Sequence, residues 1–126
     1  MGQLRQMRVT ATVAAGATGA TADTSIIRGE IVSLSMDVTG NSMDINLDTL
    51  DEQKAQAILD YTGNTDTTFY PETPMMDYQG SAIDVSDGQG GDTAKYGKFV
   101  VFSRLRLTLA SAAAAETVTI AITYRD

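Results

Sequence analysis

Hydrophobic and polar residues alternate along most of this chain with a period of two, the pattern of β-strands that bury one face. The alternation is clearest in residues 118–124, where valine, isoleucine and tyrosine alternate with threonine and alanine. Residues 105–109 repeat it with leucine against arginine and threonine. Residues 110–116, which connect these two segments, are mostly alanine with one serine and one glutamate. We therefore expect the two strands to form a hairpin.

Three further segments alternate in the same way and are predicted to be strands: 8–13, 32–38 and 43–47. Residues 39–41 form a Thr-Gly-Asn turn between the last two of them, which predicts a second hairpin. Gly29 stands just ahead of residues 32–38, and a glycine at the start of a strand favours a bulge or a bend.

The composition and length of the remaining segments predict loops, one turn or short helix, and further strands. Residues 14–24 are alanine, glycine and threonine with one aspartate, which predicts a flexible or extended loop. Residues 48–61 fit either a short capped helix or a strand, and we favour a turn or short helix from Leu50 followed by a strand. Residues 63–97 contain both prolines and are predicted to be rich in loops. Residues 99–102, Phe-Val-Val-Phe, are fully apolar and predict a buried strand.

Seven or eight short strands with long polar loops predict an all-β protein, a jelly-roll-like antiparallel β-sandwich. The chain of 126 residues is the length of a single domain. Within it, residues 1–24 are expected to form an N-terminal arm or first strand plus the Ala/Gly/Thr-rich loop, and residues 25–126 the sandwich.

The side-chain types that are absent narrow the chemistry. The chain has no Cys, no His and no Trp. The lack of Cys and His excludes disulfides, thiolate nucleophiles, cysteine-based zinc sites and serine–histidine nucleophile systems. We expect a protein that is not an enzyme and that has no cofactor.

Acidic residues dominate the charge. The net charge is −7, and from Asp37 to Asp92 there are twelve acidic residues and one base, Lys54. This disfavours nucleic acid and anionic membranes as partners, and no apolar run approaches the roughly 20 residues of a membrane span. We expect synthesis in the cytoplasm. The uneven charge fits two faces of one molecule that attract each other, a basic face that meets an acidic partner, or ordinary solvated charge.

Two acidic patterns are candidates for a metal site or a catalytic site. Residues 84–92, Asp-Val-Ser-Asp-Gly-Gln-Gly-Gly-Asp, have oxygen ligands and glycines but not the spacing of an EF-hand, so a surface loop is favoured over a calcium site. Carboxylate pairs such as Asp48 and Asp51 occur by chance in any acidic chain, although glycosidases use such pairs. No metal ligand and no catalytic residue is predicted.

The order of several short motifs resembles a known family. Asn64-Thr-Asp66 precedes Phe69-Tyr-Pro71, Asp77-Tyr-Gln-Gly80 follows, and the strands at 105–109 and 118–124 close the series. This order resembles the capsid decoration, or cement, proteins of tailed bacteriophages. Thr67 and Thr68 stand where similar proteins commonly have Gly and Trp.

The resemblance implies a virion structural protein on the outer surface of an icosahedral head, made in the host cytoplasm. Its partner would be the major capsid protein, whose subunits it would bridge and stabilise. The chain would be a homo-oligomer, with a trimer favoured over a dimer, and would carry no catalytic residues. The alternative function is a tail-associated receptor-binding or carbohydrate-binding β-sandwich module.

Two groups of residues are candidates for contacts. Leu4, Arg5, Met7 and Arg8 alternate apolar and basic side chains ahead of the first strand, and are expected to bind the capsid by adding a strand to a partner's sheet edge. The alternative is that they form the first strand of their own sheet.

For self-association we expect Phe69, Tyr70, Met75 and Met76. Because Phe69 and Tyr70 are adjacent, one would face the core and the other would face outward if they lie in a strand.

Overall fold

The computed structural model describes residues 2–76, 79–81, 84–86, 92–94 and 96–126, with 84–86 and 92–94 described by their backbone alone. These residues form thirteen β-strands and no helix. The strands are β1 (Leu4–Thr12), β2 (Ala20–Asp23), β3 (Ile27–Thr39), β4 (Met43–Thr49), β5 (Ala57–Gly63), β6 (Thr67–Phe69), β7 (Glu72–Pro74), β8 (Asp84–Ser86), β9 (Asp92–Ala94), β10 (Tyr96–Lys98), β11 (Val100–Ser103), β12 (Leu105–Ala110) and β13 (Thr117–Arg125).

Two antiparallel sheets pack face to face. Sheet A has the order β1-β13-β3-β11. β6 also belongs to sheet A, because β11 pairs with the first residues of β3 and β6 pairs farther along the same edge of β3. Sheet B has the order β2-β12-β4-β5. Their inner faces contribute to one continuous hydrophobic core, so the predicted all-β sandwich is confirmed. The prediction of seven or eight strands is wrong, because the described residues form thirteen, several of them only three or four residues long.

The core follows the alternation in the sequence. In β4 and β12 every second residue is buried and the residues between are half-buried. β13 buries Val118, Ile120, Ile122 and Tyr124 in the same way. Valine, isoleucine and threonine suit such strands, because a branched Cβ packs well on a half-buried pleated surface.

Both predicted hairpins are wrong. β12 lies in sheet B and β13 in sheet A, and likewise β3 lies in sheet A and β4 in sheet B. Each pair is therefore joined by an arch from one sheet to the other. In the arch of residues 111–116, Ser111 and Ala115 have left-handed backbone angles (φ 53° and 66°). A turn between two alternating strands is compatible with either connection, because a strand shows the same period whether its neighbour pairs with it or packs against it.

Glu116 holds the two arches together. The residue is only 7% exposed, and its carboxylate accepts hydrogen bonds from the backbone N–H groups of Asn41 and Ala113. Its backbone carbonyl accepts a 2.9 Å bond from the N–H of Val13. Gly40 (φ 130°) lies directly against the carboxylate. One buried side chain thus links the β3–β4 and β12–β13 connections.

Two bulges shift the pattern. On β3, Ser33 lies opposite Thr123 and Ile31 lies opposite Tyr124. Val32 is therefore an extra residue between them, and Ile31 instead of Val32 is buried in the core. The bulge therefore lies three residues beyond Gly29, although Gly29 does have a left-handed φ of 133°. In β5, Ile58 is the extra residue, and it and Leu59 are both buried.

β1 and β2, which lie in the N-terminal part of the chain, are strands of the two sheets. β1 pairs along its whole length with β13, which is the alternative of a first strand in the chain's own sheet. Residues 20–23, predicted as part of a loop, form β2 and pair with β12. In the 48–61 segment, bends replace the short helix between β4 and β5.

Between β6 and β11 the chain leaves the sandwich as nested antiparallel pairs. β7 pairs with β10, and β8 pairs with β9. None of the side chains described between positions 70 and 98 belongs to the core, which resumes at Phe99. We call the described residues between positions 70 and 98 the excursion.

Candidate interaction surface

Strand β11 exposes large apolar side chains. Val100 and Phe102 are 68% and 63% exposed, whereas Val101 and Ser103, which alternate with them, are buried. The prediction of a fully buried strand at 99–102 is wrong for these two positions. β11 is an outer strand that pairs with β3 alone among the described strands, and only one of its faces meets the core.

An arginine and a further apolar side chain stand beside β11. The guanidinium carbon of Arg28 lies 4.8 Å from the ring centroid of Phe102, and these residues are register partners on β3 and β11. Ile26, just before β3, is 52% exposed. Next to Arg28 and Phe102, on the same outer face of sheet A, a row of register partners runs across four strands: Leu4, Arg125, Glu30 and Val100. We call Leu4, Ile26, Arg28, Val100 and Phe102 the arginine–phenylalanine surface.

Two hollows meet at Ile26. The larger, about 320 Å³, is lined by Ile26, Asp51, Phe102, Ser103 and Arg104. The smaller, about 230 Å³, is lined by Arg5, Ile26, Arg28, Tyr124 and Asp126. Each therefore combines apolar walls with arginine, a composition typical of surfaces that recognise peptides and carboxylates.

The larger hollow has a rigid polar wall. Arg104 donates from Nε and Nη2 to the two carboxylate oxygens of Asp51 (2.9 and 2.7 Å), and its backbone N–H donates to the same carboxylate at 3.0 Å. The Oγ of Ser103 accepts from the N–H groups of Leu50 and Asp51. These bonds attach the β4–β5 connection to the point where the chain passes from β11 to β12.

Hydrogen bonding to Arg104 lowers the pKa of Asp51 to about 2, from an ordinary 3.8. A lowered pKa means that the pair stabilises the fold fully above the ordinary value, and that this stabilisation is lost as the pH falls from 3.8 toward 2. We expect Asp51→Asn to have a smaller fall in melting temperature than the wild type between about pH 5 and pH 2. Asp37→Asn, at an exposed aspartate without an ion pair in the described residues, is the control. Parallel falls in wild type and Asp51→Asn would contradict the assignment.

Arg28 differs from the other two arginines that line the hollows. Arg5 pairs with Asp126, whose pKa is lowered first by the backbone N–H of Gln3 and then by Arg5. Arg104 pairs with Asp51. Within the part of the chain that the structure describes, Arg28 has no carboxylate partner. Its charge is therefore available to a ligand.

The opposite face of the sandwich is acidic. By register, Asp44, Asp48 and Asp60 share the outer face of sheet B with the Asp23–Arg106 ion pair. Burial, and to a smaller extent Asp60, raises the pKa of Asp48, while Arg106 lowers the pKa of Asp23. The outer face of sheet A instead has three arginines, at positions 8, 28 and 125, against Glu30 and Asp37. The two faces thus differ in sign of charge.

The predicted capsid-binding residues divide between the two faces of β1. Leu4 and Arg8 point outward, whereas Met7 is half-buried against the core and Arg5 lines the smaller hollow. A binding role for Leu4, Arg5, Met7 and Arg8 remains a prediction. Because β1 is a strand of sheet A, deleting residues 1–8 would remove much of a paired strand, so point substitutions are the better test.

The predicted self-association residues also divide. Phe69 is turned inward and contacts Tyr61 edge to face, with ring centroids 5.5 Å apart. Tyr70, Met75 and Met76 are exposed. Tyr96 joins them on the excursion, since it pairs with Pro74 and is exposed. Self-association stays a prediction, and Tyr70, Met75, Met76 and Tyr96 are the side chains available for it. We call these four the excursion surface.

The described residues contain no group of three or more acidic side chains placed to hold a metal ion. The segment 84–92, where the sequence favours a surface loop over a calcium site, lies mostly outside the described residues, including Asp87 to Gly91. Among the described residues there is also no helix with the length and apolar character of a membrane span.

The comparisons with known proteins give no relatives. No family model, no curated protein and no solved structure matches this chain.

Proposed function

We propose that this chain is a non-enzymatic structural protein of a tailed-phage head, which binds the outside of the shell and bridges the major capsid protein's subunits. The observation that carries the proposal is the set of large apolar side chains left in water beside Arg28, which has no carboxylate partner among the described residues. Large apolar side chains exposed close together on one face typically mark a protein–protein contact.

The excursion supports the same function. Its described residues add no side chain to the core, yet Tyr70, Met75, Met76 and Tyr96 are exposed. Aromatic and methionine side chains are enriched in interfaces. A protein that bridges neighbours needs at least two contact areas, and the arginine–phenylalanine surface and the excursion surface supply them. Linked contacts on a fixed lattice gain affinity through effective concentration.

The first test is the number of copies in purified particles, measured by quantitative mass spectrometry against the major shell protein. We expect one copy per shell subunit or a simple fraction of it, and the fraction would identify the symmetry axis that a trimer or dimer occupies. A few copies per particle would favour the tail-associated receptor-binding or carbohydrate-binding module instead. Absence from particles would overturn the proposal.

A further inference from the structure

We propose that the arginine–phenylalanine surface binds an extended acidic segment of the shell protein, with an apolar side chain in the hollow between Ile26 and Phe102 and a carboxylate on Arg28. This inference rests on the proposed function and adds to it the face that binds and the chemistry that it recognises.

The apolar part follows from the larger hollow. Its walls include Ile26 and Phe102, both more than half exposed, so an inserted side chain would remove both from water. A volume of about 320 Å³ lies at the lower end of the roughly 300–1,000 Å³ of ligand pockets. That size suits one or two side chains rather than a folded element. The wall of Asp51 and Arg104 is held by several hydrogen bonds and needs no rearrangement on binding.

The acidic part follows from Arg28. Its neighbours Arg5 and Arg104 already have carboxylate partners, whereas Arg28 is held only against the ring of Phe102 among the described residues. A guanidinium stacked on an aromatic ring keeps its edge free for a bidentate bond to a carboxylate. The outer face of sheet A around it has more arginines than acids, which favours an acidic segment further.

The extended conformation follows from β11. In the part of the chain that the structure describes, this strand pairs with β3 on one edge only. A segment added to its other edge would satisfy the backbone groups there and would place alternate side chains beside Val100 and Phe102. An acidic residue and an apolar residue two positions apart on such a segment would both face the surface.

The test uses the full-length chain and shells purified without it, with binding measured by co-sedimentation. We expect Arg28→Glu and Phe102→Ser each to weaken binding by about tenfold or more, because anchors of this type typically contribute 1.4 kcal/mol or more. Arg28→Lys is expected to fall between Arg28→Glu and the wild type, since it keeps the charge but not the bidentate fork. Thermal melts of each variant check that these substitutions at exposed positions leave the fold intact.

Arg106→Glu is the matched control. Arg106 lies on the outer face of sheet B, on the opposite side of the sandwich from Arg28. It makes the same change in net charge, and we expect its binding to stay within about twofold of the wild type. A loss equal to that of Arg28→Glu would mean that general charge, not this site, governs binding, and would overturn the inference.

The two proposals fail separately. If the wild-type chain does not bind the shells, the proposed function is overturned. If the wild type binds and Arg28→Glu and Phe102→Ser bind equally well, the proposed function stands and the acidic-segment site is overturned.

Discussion

Replacing Glu116 with alanine is expected to destabilise the fold by about 3 kcal/mol, because two backbone N–H groups would lose a buried charged acceptor. The carboxylate accepts from Asn41 and Ala113, which belong to different arches, so both connections would loosen together. The measurement is the free energy of unfolding by urea denaturation. Glu116→Gln should lose about half as much, since its amide keeps one acceptor oxygen but turns an NH₂ group toward the other donor.

Glu72→Ala is the control for Glu116, because Glu72 is an exposed glutamate on the excursion. We expect its unfolding free energy to stay within about 0.5 kcal/mol of the wild type. If Glu116→Ala were equally mild, the carboxylate would not be the link between the arches.

Gly29→Ala is expected to cost about 3 kcal/mol or more, the sum of backbone strain and overlap with a neighbouring strand. At φ 133° an L-residue is strained, and the added Cβ would lie well inside 3.0 Å of the carbonyl oxygen of Arg125. That oxygen belongs to backbone that is paired with β1 and β3, so it has little freedom to move. Urea denaturation again measures the loss.

Gly16→Ala is the control at a glycine without a close neighbour. Gly16 also has a left-handed φ, of 79°, but an added Cβ there would meet nothing within 4 Å. Its cost should therefore be the strain alone, about 1 kcal/mol. Equal losses for Gly16→Ala and Gly29→Ala would refute the close approach of Arg125 as the cause.

Strand positions were largely predictable from the sequence, and strand partners were not. Burial of one face imposes the period of two, so segments such as 43–47 and 118–124 were located correctly. The same period leaves open which strand lies alongside, and the turn at Gly40 and the alanine-rich segment before Glu116 connect different sheets. The buried carboxylate of Glu116, which fixes both arches, has no signature in the sequence because acidic residues in loops are usually solvated.

The candidate surface was only half predictable. Leu4 and Arg5 were identified because apolar and basic residues alternate there, and both border the surface or its hollows. Val100 and Phe102 were missed because an apolar run of four residues has the same appearance in a central strand and in an outer one. The order of the described strands is what places β11 at the edge of sheet A, with Arg28 opposite Phe102.

The position of β13 in sheet A determines when the sheet can form during folding. β13 lies between β1 and β3 and is the partner of both, although it follows them in the chain by roughly eighty residues or more. Loop-closure entropy must be overcome before such distant pairings contribute stability, which makes folding slow. Until β13 is synthesised, the long strands β1 and β3 keep unpaired edges. A nascent chain stalled before residue 117 would therefore expose two strands able to pair with another chain.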